Sequence, residues 1–92
     1  MSKARASHIL VKTQVESENL KKEIEGGAAF EDVAKKHSLC PSRARGGDLG
    51  EFGPGQMVAE FDKAVFSGTV GQVIGPVKTQ FGYHLIKVVS RA

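Results

Sequence analysis

Three histidines and one cysteine are the side chains of this 92-residue sequence best suited to moving a proton, binding a metal or attacking a carbon near neutral pH. His8 lies in Ser7-His8-Ile9-Leu10-Val11-Lys12, and His84 in Phe81-Gly82-Tyr83-His84-Leu85-Ile86-Lys87-Val88-Val89. Both runs are aliphatic and β-branched, so both read as strands. If they pair antiparallel with His8 opposite His84, the rings share one face, with Cβ atoms ~4.5–5.5 Å apart and a hydrogen bond within reach. Cys40 follows His37 by three residues. Three chemistries fit these types. Cys40 would be a nucleophile with His8 or His84 as its base, although no oxyanion hole or orienting acid is visible. His37-x-x-Cys40 and the two strand histidines would be a metal site. Or the imidazoles would form a polar floor under an apolar pocket, since Met57 and Phe61 stand four apart around a helix start and Phe81 precedes the last strand. Plainer readings stand beside each: histidines satisfying one another in a core, an inert small cysteine, His37 exposed at a helix end, and Met57 and Phe61 as core.

The elements that must position these residues follow from local pattern. Thr13-Gln14-Val15-Glu16 has the form of a capping box, and the helix after it carries a sparse stripe of Val15, Leu20 and Ile24. Glu18–Lys22 and Lys21–Glu25 are spaced to support it, and Gly26-Gly27 ends it. A second helix starts near Ala29, with Phe30, Val33 and Ala34 on one face and Lys35, Lys36 and His37 at its C-terminal end. Residues 38–47 show no periodicity and carry turn residues. Asp48 to Phe52 reads as a short strand, and Gly53-Pro54-Gly55 as a turn. A third helix runs from about Val58 to Phe66, stopped by Gly68. Val73 to Thr79 reads as a strand kinked at Pro76, which cannot donate within a ladder. Strands near 6–12, 48–52, 73–79 and 82–89, with the first and last at the centre, make an α+β domain on a largely antiparallel four-stranded sheet.

Composition narrows the function. The chain is 40% hydrophobic and 25% charged, which suits one domain over residues 1–92 with one modest core. It has no apolar run long enough for a membrane span, and Met1 to Arg5 lead straight into the first strand, so no signal peptide is expected. One cysteine excludes an internal disulfide and suits a reducing, cytoplasmic setting. The net charge of +3 is mild. Lys35, Lys36, Arg43 and Arg45 cluster about one loop, but no aromatic residues interleave with them, so they read as a solvated surface and nucleic acid is not an expected partner.

Taken together, these residues resemble the parvulin peptidyl-prolyl cis-trans isomerases. The likeness covers residues 7–89: Ser7 to Lys12, Phe30 with Ala34-Lys35-Lys36-His37-Ser38, Cys40-Pro41-Ser42, Gly46-Gly47-Asp48-Leu49-Gly50, Gly55-Gln56-Met57-Val58 with Phe61, and Pro76 to Ile86. It is nearest to the short single-domain members. The resemblance implies the parvulin fold, with about four helices (one a short turn within residues 41–45) around the sheet. It implies that Met57, Phe61 and Phe81 hold the proline ring of a peptide, with Leu49 at the pocket edge. His8, Cys40, Thr79 and His84 would line the floor as a hydrogen-bonded network. Proline-containing peptides and folding proteins are the implied partners, for a monomer needing no metal and no cofactor.

The residue types suit that activity. Rotation about an amide bond meets a barrier of ~18–20 kcal/mol, because twisting breaks conjugation. The twisted amide is less polar than the planar one, so a dry pocket disfavours the ground state more than the transition state. Two departures from relatives bear on specificity. Phosphate-directed members carry a long basic loop after the first strand, whereas Lys12 here passes at once into Thr13-Gln14-Val15, and no WW-type module is expected ahead of the domain. Little preference for phosphoserine or phosphothreonine before proline is therefore expected. Val58 also stands where some relatives carry a polar residue.

Overall fold

The computed structural model describes residues 3–91. The two histidine-bearing runs become adjacent central strands, β1 (Ala4–Val11) and β4 (Gly82–Arg91). Apolar residues occupy successive positions in both, as they must when each face of a strand is covered. β2 (Asp48–Phe52) flanks β1 and β3 (Val73–Thr79) flanks β4, giving the order β2-β1-β4-β3 with every neighbouring pair antiparallel. The β3 ladder is interrupted between Ile74 and Val77, where Pro76 has no N–H to give, and the strand accordingly lies at an edge.

Helices cover both faces of the sheet. On one, α1 (Gln14–Glu25) and α2 (Phe30–His37) pack Leu20, Phe30, Val33 and Ala34 against Ile9, Val11 and Leu85. On the other, α3 (Ala59–Ser67) packs Phe61 and Val65 against Ala4, Ala6, Phe52, Ile86 and Val88. Among the described residues, three α-helices and a short 3-10 turn (Pro41–Arg45) make up the expected four. Alternation along β1 and β4 divides the side chains between the two cores, and His8 and His84 fall on the α3 side.

Two local expectations for α1 are corrected. Its cap forms, with Thr13 Oγ1 accepting from the Glu16 N–H at 3.1 Å. Val15, however, is 67% exposed, and Ser17 takes the buried position beside Leu20. At ~100° per residue Val15 is turned ~200° away from Ser17, so it cannot share that face. The Ser17 hydroxyl donates to the Gln14 carbonyl at 2.7 Å, which satisfies it in the interior. Nor do the Glu18–Lys22 and Lys21–Glu25 pairs form. Lys21 Nζ donates instead to the Gly75 carbonyl at 2.9 Å, tying α1 to the break in β3. Among the described residues the ion pairs are Lys3–Glu51, from the residue just ahead of β1 to β2, and Arg5–Asp48, from β1 to β2.

Candidate functional site

The β1–β4 ladder pairs His8 with Ile86 and Leu10 with His84, so the imidazoles are diagonal neighbours and not directly opposite, as the sequence suggested. A register shift of two residues leaves every side chain on its face, which is why alternation alone could not separate the two registers. Diagonal neighbours remain within reach of ring-bearing side chains. The rings lie 16° from parallel with centroids 5.2 Å apart, and Nδ1 of His8 is 3.0 Å from Nδ1 of His84. Phe61 descends from α3 and stands edge-on to both, 5.6 Å from His8 and 5.7 Å from His84.

The hydrogen bonds behind this pair assign its protons. The Phe81 N–H donates to Thr79 Oγ1 at 3.2 Å, and Thr79 Oγ1 lies 2.7 Å from His84 Nε2. If Thr79 donates to His84 Nε2, then His84 must carry its proton on Nδ1 and donate to His8 Nδ1, which leaves the His8 proton on Nε2. In the reverse arrangement the Thr79 hydroxyl proton would have no acceptor among the described residues. The first arrangement therefore leaves fewer groups unpaired. It ends at His8 Nε2, a buried nitrogen with no partner among the described residues. A buried donor left unused costs ~1–3 kcal/mol.

Burial governs the charge of the pair. Removal from water, and secondarily the neighbouring His84, push the His8 imidazole down to about 4, and burial lowers His84 in the same direction. The unfolded chain takes up a proton near pH 6.5 while the folded His8 resists until about 4. The unfolded state therefore binds more protons in that window, and stability falls as pH falls through it. Above 6.5 both states are neutral there and the effect vanishes. Urea unfolding at pH 7.5 and 5 is expected to show a loss of about 2 kcal/mol from His8 at the lower pH. Equal midpoints at the two pH values would contradict it.

In front of the imidazoles opens a hollow of about 360 Å³, lined by His8, Leu10, Leu39, Cys40, Pro41, Leu49, Met57, Val58, Phe61, Phe81 and His84. Met57, Phe61, Phe81, Leu49, His8, His84 and Cys40 thus line one hollow, with Thr79 bonded to His84. One role is corrected: Cys40 lines the wall, but no hydrogen bond joins its thiol to the network among the described residues. It sits on the loop after α2, and the network runs entirely between strands. His37 stays outside the hollow, and no group of three or more His, Cys, Asp or Glu able to hold a metal forms among the described residues. A larger depression of about 610 Å³ opens elsewhere, against α1 and α2, with Lys21, Glu25, Glu31 and Lys87 in its walls. It contains none of the imidazoles and is polar.

Several site residues had escaped the sequence reading. Leu10 follows His8 by two and shares its face, a signal that was available. Leu39 is 53% exposed and joins the wall because its N–H donates to the Leu10 carbonyl at 2.8 Å. Ser38, fully buried, accepts from the Leu10 and Cys40 N–H groups through Oγ and so stitches the loop onto β1. Gly47 accepts from the His8 N–H at 3.0 Å with φ of +87°, and a Cβ there would collide with the His8 carbonyl. Only glycine permits that approach.

The comparisons with known proteins agree with this geometry. The family described as the rotamase, PPIC-type PPIase domain matches residues 8–90. The foldase protein PrsA of Geobacillus sp. (strain WCH70) is 51% identical over 90 residues, covering 97% of this chain and 33% of the relative. A crystal structure of the peptidylprolyl isomerase PrsA from Bacillus anthracis superposes with a TM-score of 0.96 at 40% identity, over 99% of this chain and 42% of that one. The solution structure of NmPin, the parvulin of Nitrosopumilus maritimus, gives a TM-score of 0.88 at 38% identity, over 98% of each chain. The chain therefore spans about 33% of the first of these curated relatives and nearly the whole of NmPin.

Proposed function

The chain belongs to the parvulin family, the PPIC-type peptidyl-prolyl cis-trans isomerase domains, and from that premise we propose that it speeds rotation about X-Pro bonds in peptides and folding proteins by gripping proline non-covalently. The observation that carries the proposal is an apolar hollow lined by His8, whose buried Nε2 has no partner among the described residues. Met57, Phe61 and Phe81 hold the ring, Leu49 closes the edge, and His8 Nε2–H donates to the imide nitrogen or the turning carbonyl as conjugation breaks. His84 and Thr79 act through His8, fixing its tautomer, while Cys40 contributes wall. A thousandfold acceleration needs only ~4 kcal/mol of such differential stabilisation. Sub-stoichiometric protein is expected to accelerate cis-trans exchange in a Leu-Pro peptide. Binding without acceleration would favour the alternative, a proline-peptide-binding or chaperone module.

Among the described residues no Lys or Arg lines the hollow, and Arg43 and Arg45 stand apart from it. This supports indifference to phosphate before proline. Rates on a Ser-Pro peptide and its phosphorylated form are expected to agree within threefold, and a tenfold gain with phosphate would overturn the proposal. Since the Cys40 thiol is bonded to neither imidazole, Cys40→Ser is expected to keep at least a third of wild-type kcat/KM. Complete loss in a folded variant would point to a nucleophile instead. The relatives named as foldases support folding proteins as substrates. A monomeric state and a cytoplasmic setting complete the proposal, the second on the single thiol alone. Sedimentation and cell fractionation decide them.

A further inference from the structure

We infer that Asp62 and Gln56 are positioning residues that hold Met57 at the mouth of the hollow, an inference that rests on the isomerase reading above. Met57 is half-buried, lies between β2 and α3 in neither helix nor strand, and has an unbranched side chain with three rotatable bonds. Packing alone is a poor way to place it. Val58, at the N-cap of α3, supplies no side-chain cap, so the start of this helix is not fixed in the usual manner.

Two side-chain bonds do that work. Gln56 Oε1 accepts from the Gly53 N–H at 2.7 Å, folding the turn back on itself, and the Gln56 N–H reaches the Gly53 carbonyl at 3.4 Å. Asp62 Oδ1, from the first turn of α3, accepts from the Gly55 N–H at 3.0 Å. Gly55 holds φ of +85°, the left-handed conformation that presents its N–H there. The bond closes a loop from Gly55 to Asp62 around Met57 and ties that loop to the residue next to Phe61. One wall of the hollow is thereby registered to the other. A plainer role exists for a carboxylate in the first turn, namely favourable interaction with the helix dipole. Asparagine separates the two, because it keeps an oxygen acceptor and discards the charge.

The test compares wild type, Asp62→Ala, Asp62→Asn and Gln56→Ala. Met57 contacts the ring in ground and transition states alike, so the loss belongs in KM. Asp62→Ala is expected to raise KM for a Leu-Pro peptide five- to tenfold with kcat within twofold, and Asp62→Asn to stay within twofold of wild type in both. Gln56→Ala should raise KM about threefold, and it carries the test should Asp62→Ala not fold. In the unliganded protein, the 13C-methyl signal of Met57 should move toward that of free methionine in Asp62→Ala and hold in Asp62→Asn. An unchanged methyl signal and KM in Asp62→Ala, or equal damage from Asp62→Asn, would overturn the inference. A wild-type protein without isomerase activity would sink the functional reading alone, since the methyl signal needs no turnover.

Discussion

Replacing His84 by alanine is expected to lower the thermal midpoint by roughly 15 °C, from a loss of about 3 kcal/mol at ~4–8 °C per kcal/mol in a domain of this size. The ring is 4% exposed and occupies both hydrogen-bonding neighbours, His8 Nδ1 and Thr79 Oγ1. Its removal strands a nitrogen and a hydroxyl in the interior and opens a cavity beneath Phe61, and these costs add. Against a total of ~5–15 kcal/mol for a small domain, the variant stays folded at room temperature with a reduced margin. Differential scanning calorimetry at pH 7.5 checks the shift. Should His84→Ala melt with the parent and still lose all turnover, the imidazole would be acting on substrate directly and not through His8.

Phe61→Ala should abolish most catalysis, with kcat/KM falling about 100-fold, an activation cost of ~2.7 kcal/mol. Phe61 is 3% exposed, lies edge-on to both imidazoles and packs on Phe52 with centroids 6.2 Å apart. It serves the core and the hollow with one ring. Truncation is therefore expected to cost stability as well, ~3–5 kcal/mol. The assay belongs at low temperature, where circular dichroism shows the variant folded. Phe61→Leu fills more of the space and should recover part of both losses. Turnover in Phe61→Ala within threefold of wild type would mean that proline binds elsewhere.

One aromatic ring of α3, Phe61, stands against both strand histidines. That economy explains why stability and activity are hard to separate in this fold. The polar floor lies between the sheet and the α3 core, so a change made for chemistry is felt by packing, and the acid sensitivity expected of His8 is another face of the same burial.

Much of this was legible in the residues themselves. Alternation and β-branching placed β1 and β4, the Thr13 and Gly68 boundaries framed α1 and α3, and Pro76 marked the break in β3, because these features depend on neighbours only a few residues away. His8, Met57, Phe61, Phe81 and His84 stood out as candidates by type and spacing, whereas Leu49 and Thr79 entered only through the family resemblance. Tertiary structure alone decided the diagonal His8–His84 register, since registers two residues apart present identical faces. It separated Cys40 from the network, turned Val15 outward in favour of Ser17, and brought Leu39 to the hollow through its bond to Leu10. Those outcomes depend on hydrogen bonds and packing between segments far apart in the chain, and local pattern carries no information about which distant partner a polar group will find.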